Sequence, residues 1–107
     1  MTRCEFFREN ERITRFTVSG HSGYAEAGSD ILCASIRSAV CVAECTITDV
    51  CGVRAKIRDE EEKPRTSLTL PTSCDEEESV QAVLAGMMLT LISLAEDYPD
   101  YIEVLEV

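Results

Sequence analysis

Residues 30–52 read DILCASIRSAVCVAECTITDVCG, and the reading of this run decides the fold. Ile36, Val40, Ala43, Ile47 and Val50 recur at three- and four-residue intervals, the spacing that lines side chains along one face of a helix. Asp30 stands just before the run as an N-cap, its carboxylate suited to accept from the unpaired N–H groups of a first turn. Gly52 follows as the stop, since glycine takes the left-handed conformation that ends helices. A helix is predicted over residues 31–50, with the β-branched Thr46-Ile47-Thr48 weakening its final turn.

Upstream, residues 3–8 and 12–19 are apolar–polar stretches separated by Glu9-Asn10-Glu11, which predicts a β-hairpin turning near Asn10. Between hairpin and helix lies Gly20-His21-Ser22-Gly23-Tyr24-Ala25-Glu26-Ala27-Gly28-Ser29-Asp30, rich in glycine and small residues and therefore read as a loose loop. Downstream, Val53, Ala55 and Ile57 alternate with Arg54, Lys56 and Arg58, a third strand. Asp59-Glu60-Glu61-Glu62-Lys63-Pro64 is a charged connection, and residues 66–70 form a fourth strand with Leu68 and Leu70 inward. Ser73-x-x-Glu76 is a capping-box pattern, with the acidic residues 75–78 placed at the positive end of a helix. Val80, Leu84, Met88, Leu91 and Ala95 carry that second helix's stripe. Val83, Met87 and Ile92 widen it, so the sheet covers one side and the first helix or a second subunit the other. Pro99 breaks the pattern, and residues 101–106 give a last short strand. The order β-β-α-β-β-α-β implies an α+β fold, two helices on a mostly antiparallel sheet, in one domain over residues 1–107.

Ten basic and twenty acidic residues leave a formal charge of −10. Such a surface repels phosphate backbones, which excludes a direct nucleic-acid binder and favours a basic protein or peptide as partner. Met1-Thr2-Arg3-Cys4-Glu5 lacks the apolar core of a signal peptide. The apolar run 82–95 is too short to cross a bilayer. A soluble, cytoplasmic chain without a membrane partner is expected. The six cysteines include no C-x-x-C pair; Cys41 and Cys45 lie one helical turn apart and could share a metal with His21. Small core residues are the plainer reading of most of them, and no metal or cofactor is expected.

His21, the only histidine, opens the glycine-rich loop, and Cys33 lies in the first turn of the helix that ends it. The first N–H groups of a helix carry partial positive charge, so a thiolate there is stabilised and its pKa should fall below the usual 8.5 or so. An imidazole nearby can take the thiol proton, and the same N–H groups could receive an oxyanion. The bland reading stays open at this point: Cys33 also falls on the buried stripe three residues before Ile36, His21 could be a turn residue, and Asp30 a cap only.

Gly20-His21-Ser22-Gly23-Tyr24-Ala25-Glu26 followed by Gly28-x-Asp30-Ile31-Leu32-Cys33-Ala34 resembles the signature of the bacterial ribosomal-processing cysteine proteases. The resemblance continues through Ala82-Val83-Leu84-Ala85-Gly86-Met87-Met88 and Tyr98-x-Asp100-Tyr101-Ile102. It implies a cytoplasmic homodimer that removes the N-terminal extension of large-ribosomal-subunit protein twenty-seven, cutting after an aromatic pair. By position it implies His21 as catalytic histidine and Cys33 as nucleophile, with Gly20 and Asp30 in structural support. The family commonly has serine four residues after the nucleophile; here Arg37 stands there, with Ser35 and Ser38 nearby. The implied substrate, a basic ribosomal protein, agrees with the acidic surface. Two rivals remain: a non-catalytic adaptor binding a basic ribosomal protein or assembly factor, and a small metal-binding domain using His21 with Cys33, Cys41 or Cys45.

Overall fold

The computed structural model describes residues 1–26, 30–60 and 62–107; residues 27–29, with Gly28 of the motif, and Glu61 of the charged connection lie outside the described residues. The elements run β1 (Thr2–Glu9), β2 (Arg12–Ser19), α1 (Ile31–Cys45) with a wide π-turn over Thr46–Val50, β3 (Lys56–Glu60), β4 (Arg65–Thr69), α2 (Glu77–Asp97) and β5 (Ile102–Glu106). The order is the one the sequence predicts. The strands form a single sheet, β3-β4-β2-β1-β5, antiparallel except where β5 pairs parallel to β1. That last pairing follows from α2, a long crossover helix that returns the chain to the far edge of the sheet.

The hairpin turns at Asn10 and Glu11, both at positive φ (50° and 70°). This is the type I′ geometry that matches the twist of paired strands. Past the turn the register shifts by one between Phe7 and Arg8, leaving a bulge at Thr14. The Gln81 side chain from α2 answers it: Ile13 N–H donates to Oε1 and Nε2 donates to the Ile13 carbonyl, both at 2.8 Å. Beside it, Arg12 bonds the Glu77 carboxylate and the Pro71 carbonyl, which ties the start of β2 to the start of α2.

The core lies between the helices and one sheet face. Cys4 and Phe6 of β1, Phe16 of β2, Leu68 of β4 and Ile102 of β5 meet Leu32, Ile36, Val40, Ala43 and Ile47 from the first helix and Val80, Leu84, Met88 and Leu91 from the second. Phe6, Phe16 and Leu68 sit in one register row, with the two rings 6.1 Å apart. Burial drives the Cys4 thiol up to about 12, so it stays protonated as a core residue. By length and hydropathy alone both helical spans, Ile31–Val50 and Glu77–Asp97, could cross a bilayer. Their buried stripes instead pack them on the sheet.

Three expectations need correction. The third strand begins at Lys56, not Val53: Val53 is buried and its N–H reaches back to the Ile47 carbonyl to close the π-turn. β3 itself is exposed along its length, because neither helix extends over it. The capping box at Ser73 does not form. Glu77 takes that role one residue later, accepting from the Cys74 N–H at 3.3 Å, and Glu76 caps the helix without a side-chain bond. The β-branched triplet does not merely fray the first helix; it widens it, with Cys51 N–H bonded to the Thr46 carbonyl five residues back.

The Gln81 clamp gives a direct test. Gln81→Ala leaves two partly buried backbone groups of Ile13 without partners, and should cost about 1–3 kcal/mol in urea unfolding.

Candidate active site

Gly20 ends β2 at φ +82°, and a Cβ there would lie 2.5 Å from the Met1 carbonyl oxygen, so no other residue fits without moving the first strand. Its N–H donates to the Pro64 carbonyl at 2.8 Å. Gly23 is also left-handed, at φ +75°. These two turns carry His21 and Ser22 across the start of α1. Ser22 is 2% exposed. Tyr24 then lays its ring edge-on to Tyr98 and Tyr101, with centroids at 5.5 and 5.3 Å. The described part of the segment read as loose is thus docked at both ends.

Asp30 gathers the site. As N-cap of α1 it accepts from the N–H groups of Leu32 and Cys33 on Oδ1, each at 3.0 Å. Its Oδ2 accepts from the Ser22 hydroxyl at 2.5 Å and lies 3.3 Å from Cys33 Sγ, which can donate to it. The Ser22 backbone N–H points at the same sulfur from 3.4 Å, and Ser22 Oγ in turn accepts from the Tyr24 N–H. The hydroxyl of Ser22 first, then the backbone and thiol of Cys33 and the backbone of Ala25, hold the Asp30 carboxyl down to about 2 against the opposing effect of burial.

Cys33 is therefore half-buried, not sealed in the core, and opens into a cleft of about 570 Å³. His21 lines the same cleft, exposed and without a hydrogen bond among the described residues. The first-helix wall continues from Cys33 through Arg37, Cys41 and Glu44. The facing wall is Asp59 and Glu60 of β3 with Pro64 and Arg65. The far end is acidic: burial first, then Asp59 across the cleft, push the Glu44 carboxyl up, while Arg37 pulls it down.

All five predicted site residues belong to this one region. Gly20, His21, Cys33 and Arg37 line the cleft, and Asp30 supports it from beneath. The hydroxyls of Ser35 and Ser38 do not replace the serine absent at Arg37. They bond to the carbonyls of Ile31 and Ala34 in their own helix and line a separate groove against α2. One electrostatic expectation is corrected. The N–H groups of Leu32 and Cys33, expected to face a thiolate or oxyanion, are occupied by Asp30. The donor aimed at the sulfur comes instead from Ser22. Sequence reasoning missed Ser22 as a site residue. Its only signal was its place between His21 and the second left-handed glycine. Tyr24 was missed because its partners lie more than seventy residues away.

Comparison with known proteins adds the relatives of this arrangement. Residues 1–103 match the profile of the family described as Cysteine protease Prp. The ribosomal processing cysteine protease Prp of Bacillus subtilis (strain 168) is 28% identical over 94 residues, which cover 86% of this chain and 84% of that protein. Among solved structures, the fold is shared with the ribosomal processing protease Prp from S. aureus. Its complex with a covalently linked product peptide superposes at TM-score 0.90, with 20% identity over 100% of both chains. Its complex with a substrate peptide superposes at 0.85, with 18% identity, again over 100% of both.

The Asp30 network fixes an acid response. A carboxyl whose folded pKa is depressed stabilises the fold fully above its ordinary value of 3.8, and loses that contribution as pH falls through about 2. Asp30→Asn should lower stability at neutral pH and lose less between about pH 4 and about pH 2 than the parent does, followed by chemical unfolding across that range.

Proposed function

Since the chain belongs to the cysteine protease Prp family, which includes the ribosomal processing cysteine protease Prp of Bacillus subtilis, we propose that it cuts the N-terminal extension from large-ribosomal-subunit protein twenty-seven, with Cys33 as nucleophile and His21 as base. One observation carries the reading: Cys33 Sγ and His21 open onto the same cleft, at the start of a helix, beside a wall long enough to hold an extended peptide. The acidic far end of that cleft supports a basic substrate, as does the net charge of −10.

The chemistry follows from the geometry. In the free protein the Cys33 thiol rests against Asp30 and Ser22. Turning the side chain toward His21 hands the proton to the imidazole and arms the sulfur. The thiolate attacks the scissile carbonyl carbon, and the tetrahedral intermediate collapses as His21 returns the proton to the leaving amine. Water then hydrolyses the thioester, with His21 again as base. The Ser22 N–H is directed at the resting sulfur and helps hold it in place before the side chain turns. The covalently linked product peptide of the S. aureus relative supports a covalent step. Asp30 and Gly20 serve as positioning residues.

The enzyme works as a homodimer in the cytoplasm. A groove between the two helices is lined by Ser35, Ala39 and Gly86, small enough for a second copy to approach closely. Val42 and Leu89 nearby are 61% and 62% exposed. All six cysteines are free thiols, which suits a reducing compartment.

Mass spectrometry of the ribosomal protein after incubation with the wild-type chain should show the shortened product. Cys33→Ala should bind the extension peptide without cutting it, and undiminished cleavage by that variant would end the proposal. Arg37→Ser should remove a preference for an acidic over a neutral residue in the adjoining subsite. The change in the ratio of kcat/KM should reach at most about fivefold, the worth of an exposed ion pair of about 1 kcal/mol.

A further inference from the structure

A pair of sulfurs lies outside the dyad. Cys41 and Cys45 are one turn apart on α1, both exposed, with Sγ atoms 3.9 Å from one another. Cys41 is also part of the cleft wall, two turns beyond Cys33, or about 12 Å along the helix axis.

The separation discriminates between the ways two thiols can be joined. A disulfide needs Cβ atoms about 3.5–4.5 Å apart, whereas helical positions four residues apart hold them at about 5–6 Å, so closure would distort the helix. Two metal–sulfur bonds of about 2.3 Å meeting at the tetrahedral angle span about 3.8 Å, close to the distance already present. Charge points the same way. The carboxylates of Asp49 and Glu44 act on Cys45 as neighbouring negative charges. In that acidic setting, exchanging two thiol protons for one divalent cation leaves the local charge unchanged, while an anionic adduct would add to it.

We propose that Cys41 and Cys45 form a two-thiolate site for a thiophilic divalent cation of the zinc class, and that its occupancy obstructs the peptide cleft. On binding, each thiol releases its proton to solvent and each sulfur donates a lone pair; nothing is oxidised. Among the described residues no third histidine, cysteine or carboxylate joins the pair. Two positions of a tetrahedral ion therefore stay open to water, which sets a weak, reversible and pH-dependent affinity. The obstruction half rests on the substrate reading above; the metal half does not.

The test uses the full chain carrying Cys33→Ala, so that the nucleophile cannot bind metal. Titration of the reduced protein with Cd²⁺ should produce the ultraviolet thiolate-to-metal band with one equivalent bound, and Zn²⁺ should compete it away. Adding Cys41→Ser or Cys45→Ser should abolish the band. A band of equal size in both variants overturns the site. Saturating Zn²⁺ should also weaken binding of a fluorescent extension peptide roughly tenfold or more, and leave the Cys45→Ser version unaffected. Unchanged affinity in the parent overturns the obstruction. If the peptide fails to bind the metal-free protein, the substrate reading is at fault, and the Cd²⁺ titration still decides the site.

Discussion

The carboxylate of Asp30 is the constraint on which the site depends. One oxygen closes the first turn of α1 by taking two backbone N–H groups, and the other holds the Ser22 hydroxyl and the Cys33 sulfur. Because both oxygens belong to one rigid group, the helix start and the segment that carries His21 are fixed to the same point. An ionised carboxylate is what the arrangement requires: it must accept on every side, and only the charged form offers enough lone pairs. The depressed pKa of Asp30 and the position of the sulfur are thus two expressions of one set of hydrogen bonds.

The rest of the fold places that point at the mouth of a cleft. Gly20 lets β2 pass directly over the Met1 carbonyl, and its bond to Pro64 brings the β3–β4 end close to the residue before His21. β3 extends beyond the helices, so its acidic residues face the first helix across open space instead of entering the core. On the opposite side, Tyr24 leans on Tyr98 and Tyr101, where α2 gives way to β5. The histidine segment therefore rests on elements from both halves of the chain. A packing defect near the last strand would reach the site through these rings.

Much of this is legible in the sequence. Periodicity found both helices and the hairpin, because a buried face repeats every 3.6 or 2 residues whatever it packs against. His21 and Cys33, spaced around glycines, line one cleft, and Asp30 was readable as a cap. The errors have local causes. Val53 and Ala55 alternate like a strand, but the Val53 N–H closes the π-turn and the Ala55 N–H turns back to the Val53 carbonyl. Ser73 carries the letters of a capping box, yet Glu77 was drawn into a competing network with Arg12 and Cys74. Helix-terminal N–H groups were assumed free, although the cap predicted beside them was bound to occupy two.

Sequence alone determined the order of elements and most of the helix faces that enter the core, because those follow from the spacing of residues along one chain; Val50, read as part of that face, is 80% exposed. Tertiary structure decided what lies across from them. The parallel pairing of β5, the Gln81 clamp on the bulge, the Ser22 amide at the sulfur and the acidic wall opposite Glu44 all join residues that no local pattern connects. Hydrogen-bond direction and the sign of a facing charge belong to pairs of atoms, and such pairs exist only once the sheet has brought them together.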